Sequence, residues 1–302
     1  MSSIQKVALI GKGTLGSLVL QQLVEHAFSV TVLTRNRTRL GQTPPGVDVT
    51  EVDYASVDSL VAALKGHDAV VCTVSVAGMG EQKTMIDASI LAGVRRFIPA
   101  DYGSISSDPA AHWLPTHAPL VGVKQHLAEK VQSGELEYSI LATGPWLDYF
   151  IRTPAIMDMN SRTANLVDGG THPFSTSTVS SVSRAIVGVL QNPESTKNRI
   201  VYVNDIVTTQ AKLIELGKKH TPGQDWTEVA VDSDSVLQGA QDKMARGERF
   251  DMSDGIKTLA AAMLSGKYNS RYDQVDNELF GMDLMTEDKL EAIVAAAVGK
   301  TA

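Results

Sequence analysis

The chain has 302 residues and a formal net charge of −7, long enough to bury a large core in one composite domain or two lobes and giving no reason to expect nucleic acid or an acidic membrane as partner. Its single cysteine, Cys72, excludes an internal disulfide framework and points to a reducing, cytoplasmic compartment. No apolar run reaches the ~18 residues that span a bilayer, and the first strand begins too near the N-terminus to leave room for a signal sequence.

In chain order, Lys6–Ile10 predicts a strand, residues 15–24 carry helical apolar spacing, and 29–33 read as a second, β-branched strand. Between the first strand and the helix stands Gly11-Lys12-Gly13-Thr14-Leu15-Gly16. In such a Gly-x-Gly-x-x-Gly turn the first glycine permits the tight bend, the second lets backbone approach a pyrophosphate, and the third lets helix and strand pack closely. An ordinary glycine-rich turn would share the triplet, but the flanking strand and helix favour a dinucleotide grip, with Lys12, Thr14 and Leu15 as part of it. The second strand ends in Thr34-Arg35-Asn36-Arg37-Thr38-Arg39. An NAD site wants a carboxylate roughly twenty residues past the glycines, whereas Arg35 stands there, followed by Arg37. Guanidinium groups suit a 2′-phosphate, so NADP(H) is favoured over NAD, the alternative being a solvated basic loop.

Alternation continues with a strand at 47–53, a helix at Val57–Leu64, a strand at 69–74, a helix at 81–92, and strands at 96–100 and Glu137–Ala142. This is the α/β pattern of a doubly wound parallel sheet, whose ligand crevice lies at the C-terminal strand ends. Asp53, Tyr54, Thr73, Val74 and Ser75 are thereby expected at the cofactor, as is the segment Pro99-Ala100-Asp101. Cys72 falls in an apolar run and reads as a buried structural thiol. Beyond 150 the pattern mixes a short strand and turn at 165–170, a strand at 200–203 rejoining the main sheet, and helices at 180–190, 208–219, 253–264 and 286–298. The expected domains are a Rossmann-type nucleotide lobe over 1–150, to which segments near 199–205 return, and a smaller helix-rich lobe over 151–302.

The segment Arg96-Phe97-Ile98-Pro99-Ala100-Asp101-Tyr102-Gly103, with the helix before it, resembles the isoflavone reductase-like, NmrA-like branch of the atypical short-chain dehydrogenases. There the wording usually ends Arg-Phe-x-Pro-Ser-Glu-Phe-Gly. Residues 136–150, a strand running into the aromatic pair Tyr149-Phe150, and the late strand at 198–203 are similar to the same group. The resemblance implies that the smaller lobe covers the substrate. It also implies a role for Lys124, which matches a lysine that opens a helix after this segment and serves as general acid/base or orients the nicotinamide ribose.

Three departures stand against the group. Leu120 occupies the place of the tyrosine in Tyr-x-x-x-Lys, the glycine turn is one residue shorter, and Tyr102 replaces a phenylalanine. Tyr102 is therefore either a proton donor or the filling of the phenylalanine pocket. His112, His117 and His126 lie around Lys124, with His117 as a further acid/base candidate. They form no zinc pattern, so no metal is expected. Trp113, Trp146, Tyr149 and Phe150 either line an aromatic substrate cleft or fill the core. The leading reading is an NADPH-dependent reductase of a small conjugated or aromatic molecule, acting as monomer or homodimer. Alternatives are a non-catalytic NADP-binding redox sensor and an NADPH quinone reductase.

Overall fold

The computed structural model describes residues 3–103 and 105–298, so the outermost residues of both expected lobes lie outside the described part. Its first half alternates β1 (Lys6–Ile10), α1 (Thr14–Glu25), β2 (Ser29–Thr34), β3 (Asp48–Glu51), α2 (Val57–Leu64), β4 (Ala69–Cys72), α3 (Gln82–Leu91), β5 (Arg96–Ile98), α4 (Ala118–Gln132), β6 (Glu137–Ala142) and the short α5 (Leu147–Phe150). Then follow β7 (Arg152–Thr153), β8 (Met157–Asp158), β9 (Thr163–Val167), β10 (Phe174–Thr176), α6 (Val179–Gln191), α7 (Pro193–Thr196), β11 (Arg199–Tyr202) and β12 (Ile206–Thr208). The chain closes with α8 (Gln210–Lys219), β13 (Thr227–Val231), α9 (Ser233–Ala245), α10 (Met252–Leu264) and α11 (Glu287–Val298).

Seven strands form one sheet in the order β11-β6-β5-β4-β1-β2-β3, every pair parallel. Strands covered on both faces need apolar residues throughout, and β4 and the last four residues of β1 are buried without interruption. The strand order turns back at β1, between β2 and β4, which puts the crevice of this Rossmann-type sheet beside the glycine turn. Among the described residues no helix is long and apolar enough to cross a membrane.

Two apolar cores separate. The first, around Leu9, Val71 and Phe97, also takes Val182, Ile186 and Val189 from α6, which packs on α1, and Val201 from β11. The second, around Phe150, Phe174 and Met263, lies between a small sheet of order β13-β9-β8-β7 and helices α8, α10 and α11. The return of 199–205 to the main sheet is thus joined by α6, which is buried along nearly its whole length and packs on α1.

Several expected bounds shift for local reasons. β4 stops at Cys72 because the chain turns into a 3-10 segment, Val76–Glu81, before α3. β5 stops at Ile98 before Pro99, which has no N–H for a ladder. Lys124 lies in the interior of α4, not at its opening, since the helix already starts at Ala118 with Pro119 in its first turn. β13 and α9 were not expected: β13 is almost wholly exposed, and α9 buries only Ser233, Leu237 and Ala240, so neither carries a strong apolar period. Burial pushes the Cys72 thiol up to about 12, in keeping with a structural, unreactive side chain.

Arg96 of β5 is fully buried. Its guanidinium donates to Glu137 at 2.8 Å, Ser139 at 3.0 Å, Thr196 at 3.2 Å and the Pro193 carbonyl at 2.7 Å. A buried cation is tolerated when it is paired and hydrogen-bonded in this way.

Candidate active site

The glycine turn is held by packing. Gly11 has φ +94°, a left-handed conformation that glycine adopts freely, and its N–H donates to the Leu33 carbonyl at 3.3 Å. Its carbonyl accepts from the Thr73 hydroxyl at 2.6 Å, which ties the turn to the end of β4. A Cβ on Gly16 would collide with Gly11 and Thr73, so this glycine sets the helix close to the strands and takes no part in lining the cleft. Gly13 faces open space. It is also the N-cap of α1, with no side chain capping it, and the first helical bond is Ser17 N–H to Gly13 C=O. The N–H groups of Thr14, Leu15 and Gly16 are therefore left as the anion-seeking end of the helix.

From this turn a cleft of about 1380 Å³ runs along the C-terminal ends of the strands. Ligand pockets commonly measure roughly 300–1,000 Å³, so it has room for a dinucleotide and a second molecule. Gly11, Lys12, Gly13, Thr14 and Leu15 line it on one side, with Thr73, Val74 and Ser75 below.

At one end stand Arg35 and Arg39, both exposed. The Arg35 guanidinium lies 5.3 Å from the Tyr54 ring centre, a cation–π stack on a side chain that is itself fixed by donation to the Leu33 carbonyl at 3.0 Å. Burial pushes the Tyr54 phenol up to about 12, so it remains a neutral platform. Lys12 bonds the carbonyls of Leu40 at 3.0 Å and Gln42 at 2.8 Å, bracing the loop behind the arginines. At this end, two expected residues fall outside the lining. Arg37 starts a 3-10 turn, its backbone N–H held by Glu51 at 2.8 Å, which leaves Arg39 in the position expected of it. The Asp53 carboxylate turns to its own loop and accepts from the Ala55 N–H at 2.9 Å.

At the other end, Asp101, Ser106 and His117 reach the cleft. Lys124 does not line it: its ammonium pairs with Asp101 at 2.9 Å and bonds the Ser106 carbonyl, while the Ser106 hydroxyl donates to Asp101 at 2.6 Å. Of the two readings of Tyr102, proton donor or filled pocket, the geometry fits the second. Its hydroxyl donates to the Cys72 carbonyl at 2.9 Å, and burial holds its pKa well above the ordinary phenol value, so the ring fills a pocket. His117 Nδ1 is bonded to the Ala111 carbonyl at 2.9 Å, which makes it the protonated nitrogen and leaves Nε2 as an acceptor on a ring that lines the cleft.

Burial lowers the proton affinity of His117, with Lys124 and His112 acting in the same direction and Ala111 and Asp101 opposing. The unfolded chain takes that proton near pH 6.5 and the folded protein only at lower pH, so below about 6.5 the unfolded state binds more protons. Stability is expected to be indifferent to this group above pH 6.5 and to fall as pH drops from there toward the folded value. His117→Gln should flatten that part of the curve. Denaturant titrations of both proteins at pH 7.5 and 5.5 check it, and an equal acid loss in both would assign the response to other groups.

Trp146 and Tyr149 form an edge-to-face pair at 5.9 Å on the cleft wall, as one of the two sequence readings had it. Trp113 and Phe150 took the other. Trp113 packs against the second core with its indole N–H on Tyr268 at 3.2 Å, and Phe150 is buried against Phe174 at 5.0 Å, meeting only a smaller neighbouring cavity. The opposite wall went unforeseen: Phe250, Met252, Ile256 and Leu259, on or just before α10, face the nucleotide lobe. The apolar spacing of that helix was visible, but not which of its faces would meet the cleft.

The fold and the cleft define a dinucleotide-binding protein, and comparison places it. The chain belongs to the NAD(P)H-binding family, whose model matches residues 11–193. Oxidoreductase aprR of Aspergillus flavus is 28% identical over 294 residues, spanning 96% of this chain and 98% of its own. Oxidoreductase poxI of Penicillium oxalicum is 27% identical over 293 residues, with 93% and 91% covered. Among solved structures, the binary complex of leucoanthocyanidin reductase with NADPH from Vitis vinifera has a TM-score of 0.75 at 15% identity, covering 98% of this chain and 100% of that one. The resemblance to isoflavone reductase-like proteins read at 96–103 agrees with this family and fold.

Proposed function

We propose that the chain is an NADP(H)-dependent reductase of a small, uncharged conjugated or aromatic molecule. The observation that carries this reading is a single cleft that runs from Arg35 and Arg39, past the uncapped start of α1, to His117 and the Trp146–Tyr149 pair. The two arginines suit a 2′-phosphate, the free N–H groups a pyrophosphate, and the open space at Gly13 the close approach of both. When bound there, the nicotinamide supplies hydride to a polarised double bond. The bond also needs a proton at its other end. His117 is suited to relay it from solvent, because its Nε2, left open as an acceptor on the cleft side, takes up a proton only transiently and passes it on. Lys124, behind the wall, serves as a positioning residue that fixes and neutralises the Asp101 carboxylate at the cleft. Phe250, Met252 and Ile256 exclude water from the far side.

The test is NADPH absorbance decay against enones, imines, quinones and aromatic carbonyls, with His117→Gln and Lys124→Ala alongside. Turnover on one class is expected, with kcat down at least tenfold in each variant and NADPH binding retained. Tight NADPH binding without turnover on any class would favour the redox sensor, and no binding of any nicotinamide would overturn the reading of the cleft.

A further inference from the structure

A second cavity, of about 350 Å³, adjoins the cleft. The two share Tyr102, Gly103, Trp146, Tyr149, Ile256 and Leu259. Beyond that common wall the smaller space is an open pocket lined by the second lobe, through Phe150, Ile156, Ala260 and Met263. The polar groups around it are already committed elsewhere. The Tyr102 hydroxyl bonds the Cys72 carbonyl at 2.9 Å, the Trp146 indole N–H bonds the Tyr102 carbonyl at 3.2 Å, and the Thr153 hydroxyl bonds the Tyr149 carbonyl at 2.7 Å. The Gly144 N–H donates to Tyr272 at 3.0 Å, and the Pro145 carbonyl accepts from Thr176 at 2.7 Å. The Tyr149 hydroxyl is the exception, on a ring that is 47% exposed at the shared rim.

A hydroxyl laid against this wall gives up water on the side that touches it and finds no free partner there, a loss of roughly tenfold in affinity. A hydrocarbon loses nothing and gains by leaving water. An apolar cavity of about 150 Å³ accepts one benzene, so this one has room for two fused rings or a ring with a short alkyl chain. We propose that the side cavity is a substrate subsite for an uncharged hydrocarbon group bearing no hydroxyl on the end that enters, while the reducible end lies in the cleft beside His117. The word substrate rests on the reductase reading; the binding itself does not.

Calorimetric titration of the full chain with naphthalene and with 2,6-dihydroxynaphthalene, which carries a hydroxyl at either end, tests this with and without NADP. Naphthalene is expected to bind at least tenfold more tightly. Ile156→Trp fills the side cavity without touching the cleft and should weaken naphthalene at least tenfold with NADP affinity unchanged. Thr153→Asp, which puts a carboxylate into the same space, should do likewise and decides the matter if the tryptophan variant does not fold. Equal affinities for the two probes, or wild-type naphthalene binding in the folded variants, would overturn the subsite. Failure of NADP to bind would remove the reductase reading, and the nucleotide-free titration would still decide the subsite.

Discussion

Gly16→Val is expected to abolish measurable NADPH binding and to destabilise the protein by about 3 kcal/mol, the upper range for overpacking a filled site. The added carbons have nowhere to go. A Cβ at this position already meets the Gly11 carbonyl and, at 2.6 Å, the Thr73 hydroxyl, and these two groups are bonded to each other across the mouth of the turn. Relief requires α1 to move off β1, which turns its free N–H groups away from the anion and breaks the packing of α1 on α6. Gly13→Ala is the matching control. Nothing lies within 4 Å of its Cβ, so its Tm should stay at the wild-type value while NADPH affinity falls. Thermal melts and NADPH titrations of both variants separate packing from contact; wild-type affinity in Gly16→Val would refute the packing role.

Arg35→Glu should weaken NADP binding about a hundredfold and leave NAD binding unchanged or improved. A charge-assisted hydrogen bond contributes roughly 1.5–3 kcal/mol, and reversal of the charge adds repulsion to its loss. The guanidinium is stacked on Tyr54 and so arrives with less orientational freedom to lose than a free surface arginine. Because Arg35 is exposed, the difference between wild type and variant should shrink as salt rises. Fluorescence titrations with both nucleotides at two ionic strengths measure this. Unchanged NADP affinity would move the phosphate away from Arg35.

The nucleotide half was legible because its signals are local. Apolar runs in β1 and β4, the glycine spacing and the arginines after β2 each depend on neighbours within a few residues; Gly11, Gly13, Arg35 and Arg39 are found at the cleft, while Gly16 supports it from behind and Arg37 turns away. The other half depends on contacts between distant segments. That Lys124 would be drawn back by Asp101, that the Tyr102 hydroxyl would find Cys72, and that Trp146 would line the cleft while Trp113 did not, are outcomes of how α4 and the second lobe pack. β13 stayed hidden for a different reason: a nearly exposed edge strand has no buried face to impose a period of two.

The partners of Arg96 bear on the order in which the molecule can assemble. Thr196 and Pro193 arrive about a hundred residues after the arginine they satisfy, in the same stretch that brings α6 onto α1 and β11 onto β6. A nascent chain ending near residue 150 therefore holds a buried cation short of two acceptors, a helix with one face open to water, and β6 as an unpaired edge. Between that point and α6 the chain makes β7 to β10, which belong to the other lobe. The nucleotide lobe thus cannot complete itself first and wait, as N-terminal domains commonly do during synthesis. The two lobes are interleaved in time as well as in space, and the cleft between them closes only once Phe250 to Leu259 have been made, late in the chain.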